Sequence, residues 1–208
     1  MTLNRAHVSM ALLTLSMLAL AGCYPLVQVS EERNATFIVG GHLTLHVDGT
    51  NGNIKVRGEA GIEEVRVQAV VTAGASTRSE AEQLLSEIDL EMFQEGDVVT
   101  LRHNEGSLFR GFDWGRSERV SFEVVVAVDA DLSLRTSNGR IDAENVQGHV
   151  QAHTSNGRID THNIQGDLEL QTSNGAIRAT ESVGSFNART SNGSISYRGR
   201  LVGPNHSA

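Results

Sequence analysis

The sequence predicts an all-β chain folded as a parallel β-solenoid of 18-residue coils, with one short α-helix. Three observations carry the prediction. Thr-Ser-Asn-Gly occurs at Thr136–Gly139, Thr154–Gly157, Thr172–Gly175 and Thr190–Gly193, always 18 residues apart. A fixed period near 20 residues marks stacked-repeat architectures. Around each motif apolar and polar residues alternate, as in half-buried strands. A stretch from Ser79 reads as helix.

Residues 1–22 read as an address, apart from the fold. Arg5 precedes an apolar run from Val8 to Leu20, which ends in Leu20-Ala21-Gly22-Cys23. A charged start, a short apolar stretch and small residues before a cut site make a secretory signal peptide. The run of 13 residues falls short of the ~20 that span a membrane. The Leu-Ala-Gly-Cys ending resembles the lipobox of bacterial lipoproteins. That resemblance implies a lipoprotein signal peptide cut before Cys23, a diacylglyceryl thioether on its sulfur, and an N-acyl chain such as palmitate on the new terminus. The alternative is an ordinary signal peptide with an incidental cysteine. Cys23 is, however, the sole cysteine, and it stands at the one position a lipobox needs.

The same solitary cysteine excludes an intrachain disulfide and a Cys-rich zinc site. Two or more acyl chains hold a protein stably on a membrane, at about 0.8 kcal/mol per buried CH₂. The expected location is extracytoplasmic, anchored to the bacterial cell membrane. In a diderm, Tyr24 after the cysteine fits the outer membrane by analogy. Residues 23–36 read as a tether. Without Arg5, 25 acidic residues face 16 basic ones, a net −9, which keeps the body off anionic lipid and argues against a nucleic-acid partner.

The body is expected over residues 37–203, with 204–208 as a tail. Leu43, Leu45 and Val47 alternate before the turn Gly49-Thr50-Asn51-Gly52, and Ile54 and Val56 follow, the same strand, Asn-Gly, Ile logic as the later repeats. Val65–Val71 is a further strand. Ser79 with Glu82 three residues on suggests a capping box, and Leu84, Leu85 and Ile88 give the apolar face of a helix of about ten residues. Glu95-Gly96-Asp97 turns between Leu90–Phe93 and Val98–Leu101, and Val120–Val128 leads into the regular repeats, 132–200.

Aligned on the period, Leu132, Val150, Leu168 and Phe186 form one column, Leu134, Ala152, Leu170 and Ala188 a second, and Ile141, Ile159, Ile177 and Ile195 a third. Gly148, Gly166 and Gly184 mark the other turn, and the apolar residue before it slips from Val146 and Ile164 to Val183. Asn-Gly between strands is also a hairpin signal, so an antiparallel meander is the alternative architecture. Only the solenoid gives the identity of the four motifs a use, because it stacks Asn138, Asn156, Asn174 and Asn192 into a side-chain ladder. It also sets Arg140 over Arg158 and Asp142 over Asp160, a face of weak ion pairs.

Strands with an Asn-Gly turn, an Ala/Glu/Leu helix, the Gln94-Glu-Gly-Asp97 hairpin and then Asn-Gly-x-Ile repeats, in this order over roughly 37–200, resemble the bacterial domain of unknown function labelled putative adhesin, or toast-rack-like. The resemblance implies a single-stranded right-handed β-solenoid, found in cell-surface and envelope-stress proteins, and no catalytic residues. Its adhesin label is an inference from architecture, and a fold does not give a function.

No catalytic or metal-binding constellation is expected. His149 and His153 share a strand face, but zinc needs three or four converging ligands. Asp142 and Asp160 sit beside arginines, which favours their ionised forms and disfavours a general acid. No cofactor is expected beyond the covalent diacylglycerol and N-acyl chain at Cys23. The segment from Leu108 to Arg116 holds the sole tryptophan. Phe109, Phe112 and Trp114, with Arg110 and Arg116, either cap the solenoid or anchor an unknown protein or glycan ligand. An unpaired last coil offers an edge for self-association. The expected function is a non-enzymatic, membrane-anchored, adhesin-like binding module. The alternatives are an envelope-stress sensor or regulator that binds a membrane protein, and a polysaccharide-acting enzyme.

Overall fold

The computed structural model describes residues 4–5, 9–14, 26–104 and 115–202. The strands before the regular repeats are β1 (Asn4–Arg5), β2 (Ser9–Thr14), β3 (Val27–Ile38), β4 (Leu43–Asp48), β5 (Ile54–Glu59), β6 (Glu64–Ala75), β7 (Asp89–Glu95), β8 (Val98–Asn104) and β9 (Ser117–Ala127), with helix α1 (Arg78–Glu87) between β6 and β7. The repeats follow as β10 (Ala130–Thr136), β11 (Ile141–Gln147), β12 (Val150–Asn156), β13 (Ile159–Gln165), β14 (Leu168–Asn174), β15 (Ile177–Gly184), β16 (Phe186–Asn192) and β17 (Ile195–Leu201).

Each 18-residue unit is one coil, with one strand in each of two sheets. One sheet runs β8-β4-β10-β12-β14-β16 in parallel, and the other runs β9-β5-β11-β13-β15-β17 in parallel. The register keeps the sequence columns, with Leu132 beside Val150, Leu168 and Phe186, and Ile141 beside Ile159, Ile177 and Ile195. This parallel pairing excludes the meander. Ile54, Ile141, Ile159 and Ile177 are at most 1% exposed, each contributing about 1.5–3 kcal/mol by burial.

The order of coils in space departs from the order in sequence. The coil β4–β5 lies between β8–β9 on one side and β10–β11 on the other. The chain builds it first, leaves to make β6, α1 and β7, returns to lay β8–β9 against one edge, and then runs the regular repeats from the other edge. The excursion closes that end of the stack. β6 pairs antiparallel with β9, β3 antiparallel with β6, and β7 antiparallel with β8, while α1 lies over β3 and β6 through buried Ala81, Leu84 and Leu85.

Two expectations need correction here. The tether does not extend to residue 36, because from Val27 the chain is a 12-residue strand paired along its length with β6. Its charged centre is used by the fold: Arg33 is paired with Glu31 and donates to the carbonyls of Ile88 (3.0 Å) and Leu85 (3.2 Å), which end α1. The capping box is Thr77 with Glu80, two residues earlier than read. Thr77 Oγ1 accepts from the Glu80 amide at 3.2 Å, and Glu80 Oε2 accepts from the Thr77 amide at 3.1 Å. The local irregularity that the slip at Val183 suggests is present. Buried Ser182 takes the inward position of Ile164, the register shifts locally, and Tyr197 of the next coil donates its hydroxyl to the Ser182 carbonyl at 3.1 Å.

β1 and β2 pair only with the outer edges of β7 and β3. Removal of residues 1–22 therefore leaves every other described strand pairing intact.

Candidate functional site

The corner that carries Thr-Ser-Asn-Gly is the most repeated site in the molecule. Each asparagine carboxamide donates Nδ2 to Oδ1 of the coil before it. The distances are 2.8 Å for Asn138 to Asn51, Asn156 to Asn138 and Asn174 to Asn156, and 2.9 Å for Asn192 to Asn174. Buried Thr154 and Thr172 donate to the carbonyls of Gly139 (3.1 Å) and Gly157 (2.9 Å) in the preceding coil. The glycines are needed for closeness, not for left-handed backbone. A Cβ on Gly139, Gly157, Gly175 or Gly193 would stand 1.8–1.9 Å from the glycine carbonyl oxygen of the previous coil. Stacking thus explains the threonine, the asparagine and the glycine of the motif.

A second ladder went unread in the sequence. Asn145 and Asn163 adopt φ of 59° and 51°, in the left-handed region that asparagine tolerates, and Asn163 donates to Asn145 at 2.8 Å. Glu181, φ 55°, takes the same place in the next coil. The 18-residue spacing of the two asparagines was the available signal.

The outer faces are polar. On one sheet Arg140 bridges Asp142 (2.6 Å) and Asp160 (3.1 Å), and Arg158 holds Asp160 at 2.7 Å, the network the columns predict. Desolvation nevertheless raises the Asp142 carboxyl above its ordinary value, and the Arg140 guanidinium opposes the shift. On the other sheet His153 lies on β12, while His149 stands in the turn just before it, so the two do not share a strand face as the sequence suggests. Asp131 accepts from the His149 backbone amide at 2.7 Å and also faces His42, which reaches Asp129 and Asp131 at 3.1 Å each. No group of three or more His, Cys, Asp or Glu able to hold a metal occurs among the described residues. Two surface depressions, of about 80 and 130 Å³, are small beside the ~300–1,000 Å³ of small-molecule pockets.

At the closed end, His103 is fully buried, with its Nε2 3.6 Å from Oε1 of nearly buried Glu118, too long for a hydrogen bond. Burial lowers the imidazole below its ordinary value. Asp89 opposes the shift and Arg33 adds to it.

Cys23, Phe109, Arg110, Phe112 and Trp114 lie outside the described residues; Arg116 is exposed just before β9. The end of β8 and the start of β9 lie at the same corner as the Asn-Gly turns.

The pairing defines a β-solenoid of in-register coils closed at one end by antiparallel strands and a helix. No family model and no curated protein matches the chain. Solved structures similar to it include a putative cell adhesion protein from Clostridium sporogenes, at 10% identity and TM-score 0.49, covering 81% of this chain and 100% of that one. A putative adhesin from Bacteroides fragilis shows 10% identity and TM-score 0.33 over 82% of this chain and 94% of its own. A putative lipid binding protein from Parabacteroides distasonis shows 8% identity and TM-score 0.26 over 83% and 95%. These are likenesses of outline, and the fold assignment rests on the strand pairing itself.

Proposed function

We propose that the chain is a non-enzymatic, adhesin-like binding module of the cell envelope, held on the membrane by lipid on Cys23 and reaching the outer membrane in a diderm. The observation that carries this reading is the sole cysteine at the end of Leu20-Ala21-Gly22-Cys23, four residues before β3 begins. The anchor would therefore sit close against a rigid body. No described helix is long and apolar enough to cross a membrane. The outer faces offer satisfied ion pairs and ladders rather than a converging acid, base or nucleophile, which supports binding over catalysis.

Intact mass of the protein made in a bacterial host tests the anchor. The expected product lacks residues 1–22 and carries a diacylglyceryl group and an acyl chain on Cys23, while Cys23→Ser appears in the soluble fraction. A free Cys23 thiol, or cleavage elsewhere, overturns the reading.

A further inference from the structure

The last coil is built like its neighbours but lacks a neighbour of its own among the described residues. Ile141, Ile159 and Ile177 are buried, yet Ile195 in the same column is 45% exposed, and Leu201 and Val202 are 43% and 52% exposed. Phe186 and Tyr197 stack with ring centroids 4.5 Å apart and are only partly covered. The ladders also stop here. Asn192 gives its Nδ2 to Asn174, and its Oδ1 is the acceptor that each earlier asparagine offers to the next coil. The Gly193 carbonyl occupies the place from which Gly139, Gly157 and Gly175 receive a threonine hydroxyl.

Charge narrows the occupant. Residues 185–202 contain Arg189, Arg198 and Arg200 and no acidic residue, in a chain of net charge −8. Arg189 is the central residue of β16, and Arg198 is the central residue of β17. A two-fold pairing of this end with a second copy, in centred antiparallel register, sets arginine against arginine at about 5 Å, an unfavourable cross-strand contact. Cationic edge residues of this kind discourage self-pairing.

We propose that this terminal coil is a docking edge for an extended segment of a different protein, one that alternates apolar and acidic residues and carries Thr and Asn at ladder spacing. The segment adds as the next parallel strand. Its apolar residues cover Phe186 and Ala188, its carboxylates meet Arg189 and Arg198, its threonine donates to the Gly193 carbonyl, and its asparagine donates to Asn192 Oδ1. Main-chain pairing supplies affinity and the columns supply specificity, as in other strand-addition complexes. The proposal rests on the binding-module reading but not on the anchor, so an unmodified Cys23 leaves it standing and its own failure leaves the anchor standing.

The test uses the full chain in nonionic detergent and a fluorescent peptide, Leu-Thr-Leu-Glu-Thr-Ser-Asn-Gly-Ser-Ile-Thr-Val-Glu, followed by anisotropy. The expected result is saturable binding, weakened at least about tenfold when both peptide glutamates become arginine. The double variant Arg189→Glu/Arg198→Glu is expected to reverse the preference and bind the arginine peptide better. Arg189→Gln/Arg198→Gln, with an unchanged melting temperature, is expected to lose the discrimination and keeps the test interpretable if charge reversal unfolds the edge. Binding of neither peptide, equal binding of both, or a symmetric dimer in sedimentation that buries this coil overturns the proposal.

Discussion

The hydroxyl of Thr154 donates to the carbonyl oxygen of Gly139 at 3.1 Å, and a Cβ at position 157 would lie 1.9 Å from that same oxygen. One backbone atom therefore dictates two letters of the motif. It requires a donor at the threonine position and the absence of a side chain at the glycine position.

Gly157→Ala should destabilise the fold by roughly 2–4 kcal/mol, because the clash is with backbone that the stack holds on both sides. Gly40→Ala, with nothing within 4 Å of the added Cβ, should stay within about 0.5 kcal/mol. Urea melts of the two variants give the comparison, and equal effects would remove the close-approach explanation.

Thr154→Val keeps the shape of a fully buried side chain and removes its donor. The expected loss is about 1–2 kcal/mol, more than for Asn156→Ala, whose ladder bonds are exposed and compete with water. Thermal melts that rank the two in the opposite order would show that the asparagine ladder carries the stack.

Arg33→Met removes the donors that end α1 at Leu85 and Ile88 and leaves Glu31 without its partner. Amides of α1 and β3 should exchange at least about tenfold faster, with the repeats β10 to β15 unaffected. Uniform loss of protection over the whole chain would mean that the helix is part of the core folding unit.

Two histidines should tilt the pH dependence of stability in opposite directions. Burial holds His103 below its ordinary 6.5, so the unfolded chain takes up this proton first and stability falls as pH drops below about 6.5. His103→Gln should flatten that loss. Its surroundings are Glu118, Asp89 and Arg33. His42 is raised above 6.5, chiefly by its hydrogen bond to Asp131 and further by Asp129. Its contribution is full below 6.5 and fades as pH rises through the raised value. His42→Gln should remove that second slope. Melting temperatures from pH 5 to 8 separate them, and parallel shifts in both variants would contradict the assignment.

Trp114→Ala tests the aromatic segment as a contact for a protein or glycan. The expected outcome is a melting temperature changed by less than the equivalent of about 0.5 kcal/mol, with loss of cell-surface binding. A large loss of stability instead assigns Trp114 to the closed end of the stack.

The regular half of the fold was legible because an in-register parallel stack puts identical residues at identical heights. The columns of Leu132 and Ile141 are the register itself. The Asn51 turn was also legible as a coil of the same kind. That Asn51 is the rung beneath Asn138 was not, since 87 residues separate them. Of the proposed site residues, Cys23 is read from a linear pattern alone and lies outside the described residues. The unpaired last coil was legible as well, and Ile195 there is 45% exposed.

The sequence by itself determined the repeat, its period and the alternation of its faces, since each is a local pattern repeated along the chain. Only the tertiary structure decided that β4–β5 is enclosed by coils from later in the chain and that Arg33 ends a helix. Those outcomes depend on which edge a returning strand joins. Backbone hydrogen-bonding groups are the same on every edge, so the choice is made by the packing of the whole stack.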